Sequence, residues 1–78
     1  MTHQPCITLR DGKLKISVWE NKNDDGNVYY GASLIKAYKQ GEAWKETTRL
    51  NGDDLLKSAR LMERTYDAII VQKQSKDA

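Results

Sequence analysis

The stretch KLKISVW, residues 13–19, alternates apolar and polar side chains at every step. One parity is apolar, and the other holds two lysines, a serine and a tryptophan: Leu14, Ile16 and Val18 against Lys13, Lys15, Ser17 and Trp19. Successive side chains of a strand point to opposite sides of the sheet, so this stretch predicts a strand with one buried side and one solvent side. The apolar side needs only a core, whereas the lysines and the tryptophan need an explanation of their own.

Glycine turns flank this strand and divide the first part of the chain. Three pairs mark the turns: Asp11-Gly12, Asp25-Gly26 and Gln40-Gly41. Glycine adopts the positive φ that tight hairpins demand, so these pairs predict hairpins. Between them lie segments of strand character at residues 6–10, 13–21, 28–39 and 43–50. The third segment, VYYGASLIKAYK, changes its apolar parity after Leu34, which predicts a β-bulge near residues 34–36.

The hydrophobic period changes after Leu50, where the sequence reads NGDDLLKSARLMERTYDAIIVQK. Asn51 is a good helix N-cap, and Asp53 and Asp54 follow where the helix dipole favours negative charge. Apolar residues then recur at helical spacing: Leu55, Ala59, Met62, Tyr66 and Ile69. The sequence therefore predicts a helix over residues 53–72, followed by a frayed tail over residues 73–78.

These segments predict one α+β domain over residues 1–78, a four-stranded antiparallel meander with one long C-terminal helix on one side (ββββα). A single helix covers only one side of the sheet, so the other side remains open. In the fourth strand, the two parities are expected to divide as follows: Trp44, Thr48 and Leu50 inward, and Lys45, Thr47 and Arg49 outward.

The composition of the chain limits the classes of protein to which it can belong. The chain has 78 residues and a formal charge of +2, from 13 Lys plus Arg against 11 Asp plus Glu, so overall charge does not by itself indicate a nucleic-acid partner. The one cysteine, Cys6, excludes an internal disulfide, and the longest apolar run, residues 68–71, is too short for a membrane span. We therefore expect a cytoplasmic protein without a membrane partner. A second copy would help so short a chain bury enough apolar surface.

The open side of the predicted sheet is locally basic and contains aromatic residues. No acid from the strand interiors is expected there, because the acids fall in turns and in the helix. Lysine and arginine neutralise phosphates, and an exposed indole stacks on an unpaired base. The candidate nucleic-acid-binding residues are Arg10, Lys13, Lys15, Trp19, Tyr29, Lys39, Lys45 and Arg49. An ordinary solvated strand face would also carry lysines and threonines, so that alternative stays open.

Two segments carry a resemblance to known proteins. The layout and the run TTRLNGDDLLKSARLMERTYDAI resemble the single-stranded DNA-binding domain of transcriptional positive cofactor four and its bacterial relatives. The run AYKQGEAWKETTRLNGDDLLKSARL more closely resembles a group of small bacterial proteins. They share a tyrosine–lysine pair, a glycine turn and a tryptophan–lysine pair before an Asp-Asp-Leu-Leu helix start: here Tyr38-Lys39, Gly41, Trp44-Lys45 and residues 53–56. The resemblance covers roughly residues 7–70.

The resemblance implies a homodimer whose two sheets form curved surfaces for opposing or melted single strands. By position, it implies DNA contacts from Lys13, Lys15, Lys45 and Arg49, and a stacking role for Trp19.

Other chemistry finds little support in the sequence. Residues 21–28 partly resemble a calcium-binding loop, but Ala32 stands where the bidentate glutamate is required. His3 and Cys6 are too few for a metal site, and Cys6 has no visible base to activate it. We expect no enzymatic activity, no metal, no cofactor and no small-molecule substrate.

The leading hypothesis is a weakly sequence-specific module that binds single-stranded DNA on its open sheet, in transcription regulation or DNA maintenance. RNA is the alternative ligand. The rival function is a protein-interaction or assembly module that docks a partner on the open sheet or its edge strand. Salt separates the two, because phosphate binding weakens steeply with salt and aromatic docking does not.

Overall fold

A computed structural model describes residues 4–77, with side chains described as far as residue 74. Its elements are β1 (Ile7–Asp11), β2 (Leu14–Lys22), β3 (Val28–Gln40), β4 (Ala43–Thr47) and α1 (Gly52–Asp77). The four strands form one antiparallel sheet in the order β1-β2-β3-β4. The predicted ββββα architecture is confirmed. No helix in the described part of the chain is long and apolar enough to cross a membrane.

The turn between β2 and β3 is closed by its own side chains and backbone. Gly26 has a φ of 84°, a left-handed conformation that favours glycine. The side-chain oxygen of Asn23 accepts hydrogen bonds from the backbone N–H groups of Asp25 and Asn27, at 3.0 and 2.9 Å. This turn therefore uses its amide oxygen to shape the hairpin, and a polar hairpin loop explains the partly calcium-like sequence.

β2 and β3 pair without interruption from Leu14–Lys36 to Lys22–Val28. The β-bulge predicted near residues 34–36 is absent from this register, which corrects that prediction. Because the ladder is continuous, the change of apolar parity in β3 places Ile35 on the opposite side of the sheet from the core.

The core lies between β2 and α1. Leu14, Ile16, Val18 and Leu61 are almost completely buried, and partly buried apolar residues from β1, β3 and α1 pack around them. α1 packs mainly over β1 and β2. A helix is about 10 Å wide and strands lie about 4.8 Å apart, so one helix covers about two strands of the sheet. The corresponding side of β3 and β4 is therefore only partly covered.

The connection from β4 to α1 ties the helix start to β3. Asn51 donates its backbone N–H to Oδ2 of Asp54 at 2.8 Å, in the manner of a capping box. Nζ of Lys36 on β3 lies 2.6 Å from the same oxygen. This hydrogen-bonded ammonium group, with the Asn51 N–H, holds the pKa of Asp54 below its ordinary value.

Two element bounds differ from the expected ones by more than one residue. β4 ends at Thr47, because the chain then turns toward the helix start and the N–H of Arg49 bonds to the Thr47 hydroxyl at 3.1 Å. α1 continues to Asp77, through residues that were expected to lie beyond it. Near that end of the helix, Nζ of Lys73 lies 6.0 Å from the centre of the Tyr30 ring on β3.

Candidate nucleic-acid interface

The register assigns each strand residue to one side of the sheet, because directly paired residues of antiparallel strands share a side. Leu14, Ile16 and Val18 form the core with α1, so the intervening residues and their partners form the opposite side, which we call the open face. The open face carries these side chains: Thr8, Arg10, Lys13, Lys15, Ser17, Trp19, Asn21, Tyr29, Ser33, Ile35, Ala37, Lys39, Trp44 and Glu46.

An exposed tryptophan beside two lysines stands at one end of the open face. Trp44 is 61% exposed and pairs directly with Lys39 across β3 and β4. Nζ of Lys13 lies 6.0 Å from the centre of the Trp44 ring, at the limit of the cation–π range. Trp44 was expected on the buried parity, and its position on the open face corrects that prediction. An indole held open beside two ammonium groups can stack on a base while the lysines contact neighbouring phosphates.

One carboxylate stands among the basic residues of the open face. Oε2 of Glu46 lies 3.7 Å from Nζ of Lys15. The expectation that no strand acid has this parity is therefore wrong. Arg10 and Lys39 form no ion pair with any residue that the structure describes. Lys15 is thus partly neutralised, while Arg10, Lys13 and Lys39 are available to an anionic ligand.

Small hydroxyl side chains separate this basic end from a second aromatic end. Ser17 pairs with Thr8 and Ser33 and is buried between its neighbours. Beyond this row, Trp19 is half-buried and Tyr29 is 53% exposed. The open face therefore has aromatic surface at both ends and no bulky side chain in the row between them.

The two aromatic ends are separated by most of the length of β3. Trp19 pairs with Gly31 and Trp44 pairs with Lys39, so the two tryptophan positions are eight residue steps apart along β3. At about 3.3 Å per residue, the separation is about 26 Å. A single strand that reached both ends would be several nucleotides long, within the range of about 4–16 nucleotides that single-strand-binding folds cover.

Two candidate residues lie elsewhere. Lys45 pairs with Tyr38, and this pair lies on the helix side of the sheet. Arg49 follows the end of β4 and lines a recess with Lys36 and Tyr38, also on the helix side. The placement of Lys45 and Arg49 on the open face is therefore wrong. The structure brings the other six candidates together there: Arg10, Lys13, Lys15, Trp19, Tyr29 and Lys39.

The sequence contained a signal that would have placed Trp44 correctly. Gln40 pairs with Ala43, so the hairpin turn consists of two residues, beginning at Gly41. A two-residue turn sets the register of both strands, and here it pairs Lys39 with Trp44. Assigning these two residues to opposite sides is incompatible with that turn. Glu46, two residues further along β4, follows Trp44 onto the open face.

Metal chemistry is not supported by the described side chains. No three histidine, cysteine, aspartate or glutamate residues among them lie close enough together to hold an ion. The single cysteine, Cys6, is exposed and free. The open face instead carries cations and aromatic rings.

Comparison of the chain with protein-family models, with curated proteins and with solved structures found no match. The resemblance to positive cofactor four and to the small bacterial proteins therefore stays a prediction. It depends on the ββββα layout and on the two sequence runs quoted for it.

Proposed function

We propose that this protein is a non-enzymatic module that binds single-stranded nucleic acid on its open face. The observation that carries the proposal is the exposed Trp44 indole beside Lys13 and Lys39. A large aromatic side chain left this exposed on a sheet contributes little to the core of its own chain. Its exposure beside two cations is typical of a surface that binds an anionic, aromatic ligand.

The shape of the open face favours an unpaired strand over a duplex. The grooves of B-DNA admit a helix or a narrow ribbon, whereas a four-stranded sheet is too broad to enter them. Bases of a single strand are splayed and can stack on Trp44, Trp19 and Tyr29. Stacking accepts every base, so sequence specificity should be weak. We take DNA as the ligand and RNA as the comparison in the test.

Phosphate contacts supply the electrostatic part of the binding energy. Arg10, Lys13 and Lys39 can each neutralise one phosphate. Each contact on a single strand adds about −0.7 to the slope of log K against log salt, so three contacts predict about −2. Affinity should therefore fall about 20-fold between 50 and 200 mM salt.

Two observations suggest the setting of this activity. The resemblance to the bacterial relatives of positive cofactor four implies transcription regulation or DNA maintenance and a homodimer, and a single free cysteine is typical of a reducing compartment such as the cytoplasm. We propose the same setting for this protein.

Fluorescence anisotropy tests the proposal with a labelled oligothymidine of about 15 nucleotides, its RNA equivalent and a matched duplex, over a salt series. Trp44→Ala should weaken single-strand binding by about 5- to 150-fold, because one stacked base contributes about 1–3 kcal/mol. Lys39→Ala should also weaken binding and reduce the salt slope by about 0.7.

Lys45→Ala is the matched control for Lys39→Ala. It removes the same charge from the neighbouring strand, but on the helix side of the sheet. Absence of binding at low salt, or equal losses in Lys39→Ala and Lys45→Ala, would refute the open-face proposal.

A second function has one observation in its favour. Ile35 and Ala37 place apolar surface on the open face, beside β4, whose outer edge pairs with no described strand. A partner chain could dock there by adding a strand to this edge. Such binding would tolerate high salt and depend on the aromatic residues more than on the lysines, so the same titrations distinguish it.

A further inference from the structure

The end of the open face that holds Trp19 differs in charge from the end that holds Trp44. Trp19 and Asn21 on β2 pair directly with Gly31 and Tyr29 on β3, and we call these residues together the Asn21 patch. The patch carries no charged side chain. The described cations of the open face all lie beyond the row of hydroxyl side chains: Arg10, Lys13, Lys15 and Lys39. The Asn21 patch therefore suits an uncharged aromatic group, such as the base of a nucleotide.

Gly31 lies in the interior of β3, where a glycine needs an explanation. It is not one of the glycines with positive φ, and the pairing with β2 is continuous around it, so neither a turn nor a bulge requires it. Glycine within a strand lowers stability and often marks a place where a ligand approaches the backbone closely. A Cβ here would meet Nδ2 of Asn21 at 3.6 Å. Gly31 thus leaves open space beside Trp19 and next to the Asn21 amide.

The Asn21 amide borders this space with its hydrogen-bonding groups unused. It is half-buried, and its side chain forms no hydrogen bond with any residue that the structure describes. A carboxamide presents an acceptor oxygen and a donor N–H group side by side. Such an amide beside an aromatic ring can bind the edge of a base while the ring stacks on the face of the base.

We infer that the Asn21 patch is a base-reading site and that it selects adenine. Asparagine binds adenine through two adjacent groups, the N6 amino donor and the N7 acceptor. Guanine is read mainly by arginine and lysine, and no described side chain of the patch is of either type. A purine also offers Trp19 a larger ring than a pyrimidine does, and stacking strength sets base preference on surfaces of this kind.

This inference rests on the proposed function, because it names the base that one position of the open face selects. The two ends then have different roles: the Trp44 end supplies the phosphate contacts, and the Asn21 patch supplies selectivity. The separation of about 26 Å between Trp19 and Trp44 corresponds to about eight nucleotides at the ~3.4 Å spacing of stacked bases. Selection at one position leaves the specificity of the whole strand weak.

Fluorescence anisotropy at low salt tests the inference with labelled oligothymidine of about nine nucleotides, long enough to reach both ends. A single adenine replaces each thymine in turn. At the position that reaches the Asn21 patch, adenine should raise affinity by at least about 5-fold, because a bidentate pair discriminates between bases by about 5- to 150-fold. Guanine or cytosine at the same position should change affinity by less than about 2-fold.

Asn21→Ala should abolish the adenine preference and leave the affinity for oligothymidine itself within about 2-fold of the wild-type value. Gly31→Val should also reduce the preference, since its side chain fills the space beside Trp19, while a β-branched residue suits a strand. Asn27→Ala is the matched control. It removes the same amide from the β2–β3 turn, outside the patch, and should keep the preference. Circular dichroism identifies the variants that keep the wild-type fold.

Binding of oligothymidine with equal affinity at every position of the adenine scan would overturn this inference and leave the proposed function standing. An adenine preference that survived in folded Asn21→Ala, or that Asn27→Ala abolished as well, would overturn it too. Failure of every oligonucleotide to bind at low salt would overturn both proposals.

Discussion

Removing the single carboxylate of the open face should strengthen single-strand binding. Glu46 lies 3.7 Å from Nζ of Lys15, and its side chain is 61% exposed. An ion pair in this setting contributes at most about 1 kcal/mol to stability, so Glu46→Gln should leave the fold intact. The substitution frees Lys15 for a phosphate and removes a negative charge from the path of the strand.

The size of the gain follows from counterion release. One additional phosphate contact changes the salt slope by about −0.7, from about −2 to about −3. If the additional phosphate contact contributes nothing to affinity at 1 M salt, it strengthens binding about 8-fold at 50 mM and about 3-fold at 200 mM. The gain should therefore shrink as salt rises, which a general improvement of the surface would not do.

Anisotropy titrations of oligothymidine at four salt concentrations measure both affinity and slope. Glu42→Gln is the control, because Glu42 lies in the exposed β3–β4 turn and the substitution changes the net charge by the same amount. If Glu42→Gln raised affinity and slope as much as Glu46→Gln does, overall charge would account for both, and the ligand would not lie along Lys15.

Three further predictions concern stability, each read from urea unfolding. Leu61→Ala should cost about 3 kcal/mol, because Leu61 is only 1% exposed, whereas Leu56→Ala, at an exposed position, should change stability by less than about 0.5 kcal/mol. Ser58→Ala should stabilise the protein by about 0.5–1.5 kcal/mol, since the Ser58 hydroxyl is buried without a hydrogen-bond partner and alanine is the better helix former; a loss would show that the hydroxyl is bonded in solution. The hydrogen bond from Lys36 lowers the pKa of Asp54 in the folded state. The ionised Asp54 therefore contributes fully to the free energy of unfolding above the unfolded pKa of about 3.9, and this stabilisation is lost as pH falls through the folded pKa. The stability difference between wild type and Asp54→Asn should therefore shrink below about pH 4, and a difference that stayed constant down to pH 2 would exclude the Lys36 pair as its cause.

The architecture was predictable because its signals are local. The alternation around Ile16 identifies a strand, glycine at positions such as Gly26 identifies hairpins, and Asn51 followed by two aspartates identifies a helix start. Each signal depends on a few adjacent residues and on backbone sterics or capping. The side chains of β4 depend instead on the register with β3, and an error of one residue there moved Trp44, Lys45 and Glu46 to the wrong sides together.

β3 shows why hydrophobic periodicity alone could not identify every residue of the open face. Hydrophobic alternation identifies a strand that is buried on one side, and it fails where both sides carry apolar residues. In β3 the helix side has Tyr30 and Ala32, beside α1, while the open face has Tyr29 and Ile35. The parity change that suggested a bulge therefore reflects apolar residues on both sides of a regular strand. A one-residue slip and a strand with two apolar sides give the same hydrophobic pattern, and only the pairing with β2 distinguishes them.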